Sequence, residues 1–153
     1  MPPAITGRPE GTALVVRTDY GNDDAWHDVR TRLKNHPYED TDDFLHLVDD
    51  PVWNGASADD VRTALTDDGG INAVYLADAR TMADAGMRPL LAVYVFDGEE
   101  DREDLAGLEE SGSGFRTVPE EVYSVHVNLE IANMDFQEYA SWAADSPGGV
   151  LRS

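Results

Sequence analysis

The chain has 153 residues, with 31 Asp or Glu against 11 Lys or Arg, giving a formal net charge of −20. A charge of that sign and size disfavours DNA, RNA and anionic membrane as partners, and favours cations, basic proteins or solvent alone. The chain has no cysteine, which excludes disulfides, thiolate metal sites, iron–sulfur clusters and cysteine nucleophiles.

Length points to one domain. Hydrophobic residues make up 41% of the chain and are clustered, which is enough for a packed core. No apolar run approaches the roughly 18–20 residues that span a bilayer. Residues 1–11 show no apolar stretch of a secretory signal, and with the lack of cysteine they suggest a cytoplasmic protein. Ten of the basic residues are arginine, and the only lysine is Lys34. That bias suits recognition of carboxylate or phosphate, but coding bias in a GC-rich genome explains it as well and is the reading adopted.

In chain order, residues 1–11 form a flexible lead rich in Pro and Gly. Ala13, Leu14, Val15 and Val16 then make a short apolar run, read as a buried strand that ends in Arg17, Thr18 and Asp19. Asn22 caps a helix with Asp23 and Asp24 in its first turn, and Trp26, Val29 and Leu33 on one face. Pro37 stops that helix. Residues 44–48 give a second strand. Ser57, with Asp60 three residues on, opens a helix carrying Val61, Ala64 and Leu65. Residues 73–77 are a third strand, followed by a helical turn near 81–84, and residues 90–96 are a fourth strand, apolar on both faces and therefore central.

Residues 97–114 hold eight acids and one Arg before a Ser-Gly-Ser-Gly run, the signature of an exposed acidic loop. Val125, Val127, Leu129 and Ile131 alternate with polar residues, which favours a strand. A helix over 120–131 competes, because Val122, Val125 and Leu129 also share one helical face. Asp135 caps a last helix with Phe136, Tyr139, Ala140 and Ala143 inward. The expected architecture is a single-domain layered α/β fold over 12–145. Its mixed, partly parallel sheet is flanked by helices, with antiparallel strands joining late and a tail over 146–153.

Two segments resemble an uncharacterised domain family of actinobacteria. One runs from Leu14 to Tyr20, with Asp24 and Trp26 following. The other comprises Phe115, Arg116, Pro119 and Glu120, then Asn128 through Tyr139. The resemblance implies a shared fold over roughly residues 12–145 and carries no catalytic residue across. The long acidic loop and the His126–Val127 pair depart from the family pattern. In size and charge the chain is also similar to acidic α/β bacterial immunity proteins, an analogy only.

Four strand candidates end in an acid: Asp19, Asp49, Asp78 and Asp97. On parallel strands these would line the carboxyl rim where open α/β sheets bind ligands, and could hold Mg²⁺ through oxygen ligands. Asn128, Asn133 and Asp135 could line a polar pocket beside them. Against this, Asp is common here and favours loops and caps. The four histidines have no metal-ligand spacing, and there is no nucleophile elbow, GxGxxG or P-loop. No cofactor is therefore expected. Trp26 and Trp142 fit inner helix faces, whereas Trp53, after Asp49-Asp50-Pro51, is expected to be exposed. The leading expectation leans away from catalysis, towards an immunity- or antitoxin-like interaction module that binds a basic partner. The residues expected to meet that partner are Asp42, Asp43, Asp49, Asp50, Trp53, Glu99, Glu100, Asp101, Glu103 and Asp104. The alternative is a small enzyme or ligand-binding domain using the rim carboxylates. The sequence does not specify the oligomeric state.

Overall fold

A computed structural model describes residues 12–34, 45–65, 73–94, 114–130 and 136–151. Six strands form one mixed sheet: β1 Ala13–Arg17, β2 Leu45–Val48, β3 Ala73–Ala77, β4 Leu90–Tyr94, β5 Gly114–Thr117 and β6 Val150–Leu151. Their spatial order is β2-β1-β3-β4-β5-β6. β1 pairs in parallel with both β2 and β3, β4 runs antiparallel to β3 and β5, and β6 is parallel to β5. The expected mixed α/β sheet is thus present: parallel over β2-β1-β3, antiparallel over β3-β4-β5, and parallel again at β5-β6. Among the described residues five α-helices accompany it: α1 Asp23–Leu33, α2 Ala58–Ala64, α3 Ala79–Ala83, α4 Val122–Glu130 and α5 Phe136–Asp145. None of the described helices is long and apolar enough to cross a membrane.

Strand periodicity divides the core. From β1, Ala13 and Val15 face a layer containing Trp26, Val29 and Leu33 of α1, Met82 of α3, Val122 and Val125 of α4, and Tyr139 and Ala143 of α5. Leu14 and Val16 face the opposite layer, with Trp53, Val61, Ala64 and Leu65. β1 is therefore covered on both sides, which explains its unbroken apolar run. The helix starts follow local chemistry. The Asn22 side chain accepts from the Ala25 N–H at 3.0 Å, and Ser57 and Asp60 satisfy each other's backbone N–H reciprocally.

Four expectations are corrected. Residues 122–130 form a helix, not a strand: Pro119 opens a 3-10 turn that leads straight into it, and Val122 and Val125 are fully buried. The alternation along 125–131 is incidental to that helical face. Trp53, expected outside, is only 2% exposed, because Asp50 caps a 3-10 turn over Pro51–Trp53 that swings the indole under Leu14 and Val16. Trp142, expected inside, is 46% exposed. Val150 and Leu151, assigned to a tail, are buried in β6.

Among the segments read from sequence, the lead at 1–11, all of the acidic loop except Gly114, and Asp42, Asp43, Asn133 and Asp135 lie outside the described residues.

Candidate functional site

The order β2-β1-β3 places β1 between two parallel neighbours, with α1 leaving over one face of the sheet and α2 over the other. Open α/β sheets usually take their ligands at such a reversal of winding, here the region beyond the carboxyl ends of β1 and β3. The sheet hydrogen bonding continues one residue into it, from Thr18 N–H to Ala77 C=O at 2.9 Å. After the 3-10 turn, Gly55 takes a positive φ of 80° and donates its N–H to Thr18 C=O at 2.8 Å, closing the rim beside β2.

At the centre of the rim lies a residue that the sequence reading passed over. Arg17, the last residue of β1, is 4% exposed. Its Nε donates to the Asp19 carbonyl at 2.9 Å, Nη2 to Asp23 Oδ1 at 2.8 Å, and Nη1 makes a long contact with Asp49 Oδ1 at 3.4 Å. The guanidinium stacks over the Tyr20 ring at 4.2 Å and sits 5.6 Å from the Trp26 ring. Asp49 Oδ2 in turn accepts from the Trp26 indole N–H at 3.1 Å. Thus α1, β1 and the end of β2 are tied together through one cation. The Tyr20 hydroxyl is enclosed without a hydrogen bond of acceptable geometry. Burial first, then the nearby Asp49 charge, push its pKa up to about 12, against the opposing pull of Arg17.

A second guanidinium, Arg30, lies 5.9 Å from the Trp26 ring. Asp23 and Asp49 contact the Arg17 guanidinium through their carboxylates. Asp24 and Asp50 adjoin them in the chain, and Asp19, whose carbonyl accepts from Arg17, makes five aspartates. All but half-buried Asp19 are exposed. Several already serve the backbone. Asp19 Oδ1 accepts from Gly21 N–H at 2.9 Å, and Asp50 Oδ1 from Val52 N–H at 3.1 Å. With Asn22 capping α1 and two acids in its first turn, the positive helix end is already neutralised, which makes this rim a poor seat for phosphate. Val52, 46% exposed, adds an apolar side chain beside Asp50.

Asp78, the third rim acid, has a separate task. It caps α3 through Thr81 N–H and receives both arms of Arg116, at 2.8 and 2.9 Å. Burial raises its pKa, but the Arg116 hydrogen bonds and charge and the Thr81 bonds outweigh that, holding the carboxyl below the usual range. Asp97 lies outside the described residues, and β4, which precedes it, runs antiparallel to β3, so that strand end points to the opposite edge. Asn128 is on α4, where its amide donates to the Tyr139 hydroxyl at 2.8 Å rather than lining the rim. Trp53 supports the rim from below. Glu99, Glu100, Asp101, Glu103 and Asp104 are likewise outside the described residues. Among the described residues, no group of three or more His, Asp or Glu is placed to hold a metal ion.

The structure therefore brings together Asp19, Asp49 and Asp50 of the expected residues and adds Arg17, Tyr20, Asp23 and Asp24. An arginine closing an apolar strand, followed by acids within six residues, was the available signal. A family model described as "Domain of unknown function (DUF6924)" matches residues 12–153. No curated protein and no solved structure matches the chain.

Proposed function

We propose that this chain, which belongs to the DUF6924 domain family, is a non-enzymatic interaction module whose acidic sheet rim docks a basic protein partner. The observation that carries the reading is the composition of that rim: half-buried Asp19 and the exposed Asp23, Asp24, Asp49 and Asp50 beside one buried arginine that is bonded to two of them through their carboxylates. The arginine meets two of the carboxylates, Asp23 and Asp49, and offsets one of the five charges, which leaves the rim net negative. A partner's Lys or Arg side chains would meet fixed carboxylates there, with Val52 as an apolar neighbour. The net charge of −20 would speed the approach of a basic protein and repel nucleic acid. Inhibition of a basic protein, as in an immunity or antitoxin pairing, is the biological form this reading favours.

The test uses a fluorescently labelled arginine-rich peptide and anisotropy at several salt concentrations. Asp24→Asn with Asp50→Asn removes two rim charges and keeps the Asp50 cap geometry, since Asn also caps. At about 0.2–1 kcal/mol per exposed pair, and two pairs lost, affinity should fall roughly twofold to thirtyfold. An equal-charge control, Asp60→Asn with Asp84→Asn, removes two acids that are not among the five rim aspartates and should bind as the parent does. Equal weakening by the two double variants, or binding indifferent to salt, would refute the rim as the docking surface.

A further inference from the structure

A second surface lies on α5. At 100° per residue, Glu138, Trp142 and Asp145 fall within an arc of about 60° of the helix, and all three are exposed. The buried residues Tyr139 and Ala143 point elsewhere, into the core layer. Trp142 is the end of an aromatic ladder. Phe115 of β5 stacks on Tyr139 with centroids 5.9 Å apart, and Tyr139 stacks on Trp142 at 6.2 Å, with planes only 10° apart. One face of the indole thus rests on the core, while the residue keeps 46% of its surface in solvent. Ladder contacts of this kind fix the ring, and a fixed, half-open indole is an anchor of the type found at binding hot spots.

Two carboxylates act on the middle ring of the ladder. Burial comes first in raising the Tyr139 pKa, and the carboxylates of Glu121 and Glu138 act in the same direction, against the Asn128 hydrogen bond. The negative face of the indole lies between Glu138 and Asp145 on its own helix. A planar cation is the group that such a surface accepts best: its face covers the ring, and its N–H groups reach a carboxylate on either side. The turn after α5 is held to α3 by Arg80, which donates to Gly148 C=O at 3.2 Å. The surface is therefore attached to the helix that leaves the sheet rim.

We infer that Trp142, flanked by Glu138 and Asp145, is a docking point for an arginine side chain of a protein partner. This deepens the proposed role by naming a contact group, and it rests on that role only in taking the partner to be basic. The chain is well suited to the test, because its other two tryptophans, Trp26 and Trp53, are each 2% exposed. The three indole N–H signals of ¹⁵N-labelled protein are followed while an acetylated tetra-arginine amide is added, then its neutral tetra-citrulline counterpart. The Trp142 signal, assigned by its loss in Trp142→Phe, should move with the arginine peptide and stay with the citrulline one. Glu138→Gln should weaken that response about two- to fivefold, and Trp142→Ala should weaken peptide binding about three- to tenfold. The Asp24→Asn, Asp50→Asn protein should still show the Trp142 shift. A silent Trp142 signal with rim binding intact overturns this inference and leaves the rim standing. An equal response to citrulline or to an apolar peptide overturns it too, as does self-association that Trp142→Ala abolishes.

Discussion

Replacing Arg17 by Met removes the cation around which the rim is built and nearly preserves volume. The loss can be sized from its contacts. The Nε bond to the Asp19 carbonyl, made by a buried charged donor, contributes about 1.5 kcal/mol. The Asp23 pair contributes at most about 1 kcal/mol, because that carboxylate is 89% exposed and water takes it back. The Asp49 contact is long and its side chain is 44% exposed, so it adds little. Stacking on Tyr20 adds about 0.5–1 kcal/mol. The net expectation is a loss of about 2–3 kcal/mol, a fall of roughly 4–12 °C in Tm for a domain of this size. Arg17→Lys keeps the charge but loses the fork and the planar stack, and should recover less than half. A second signature separates this account from simple packing. Without Arg17 the carboxylates of Asp23 and Asp49 lose their shared cation, so salt that shortens the screening length to about 3 Å should narrow the gap to wild type. Thermal melts at low and high salt measure both effects. An Arg17→Met protein within about 0.5 kcal/mol of wild type, or a deficit that grows with salt, would refute the reasoning.

Three further outcomes follow from single residues. Asp78 has a folded pKa held below its ordinary 3.8, so its pairing stabilises the fold above that value, and the contribution is lost as pH falls through the folded one. Asp78→Asn keeps a cap, so its Tm deficit should be full near neutral pH and close below about pH 4; a deficit constant across that range would contradict the ion pair as its source. At Gly114 a Cβ would collide with the Ala92 carbonyl oxygen across the β4–β5 pairing, so Gly114→Ala should lower urea stability by about 1–3 kcal/mol, whereas an unchanged midpoint would show the strands can part. Trp53→Ala should cost about 3–5 kcal/mol while Val52→Ser, one residue away, stays within about 0.5 kcal/mol; similar values for the two would place the Trp53 indole outside the core.

The sheet was legible where burial leaves a one-residue-scale pattern. The runs at 13–16, 73–77 and 90–94 are strands because both faces are covered, and Asn22 and Ser57 mark helix starts because their side chains replace missing backbone partners. The errors arose where two periods overlap. Val122, Val125 and Leu129 satisfy a helix, and Val125, Val127 and Leu129 satisfy a strand; the turn set by Pro119 decided between them. The two misplaced tryptophans have a similar origin. A single 3-10 turn has no period to detect, so the inward swing of Trp53 left no trace in the pattern. Trp142 sits three residues after Tyr139 yet about 100° from the centre of the buried arc, near enough to look internal and far enough to stay wet. At the rim, the acids were visible but their organiser was not. Arg17 was hidden because the sequence shows an arginine at a strand end, while only the fold shows that three carboxylate-bearing residues, Asp19, Asp23 and Asp49, converge on it.

The most direct measurement of the central claim is a backbone amide chemical-shift map taken with the arginine peptide at low salt. Gly21, Asn22, Asp50 and Val52 should move together and relax back as salt is added. Shifts at saturating peptide that spare these four residues and gather on the far edge of the sheet would contradict it.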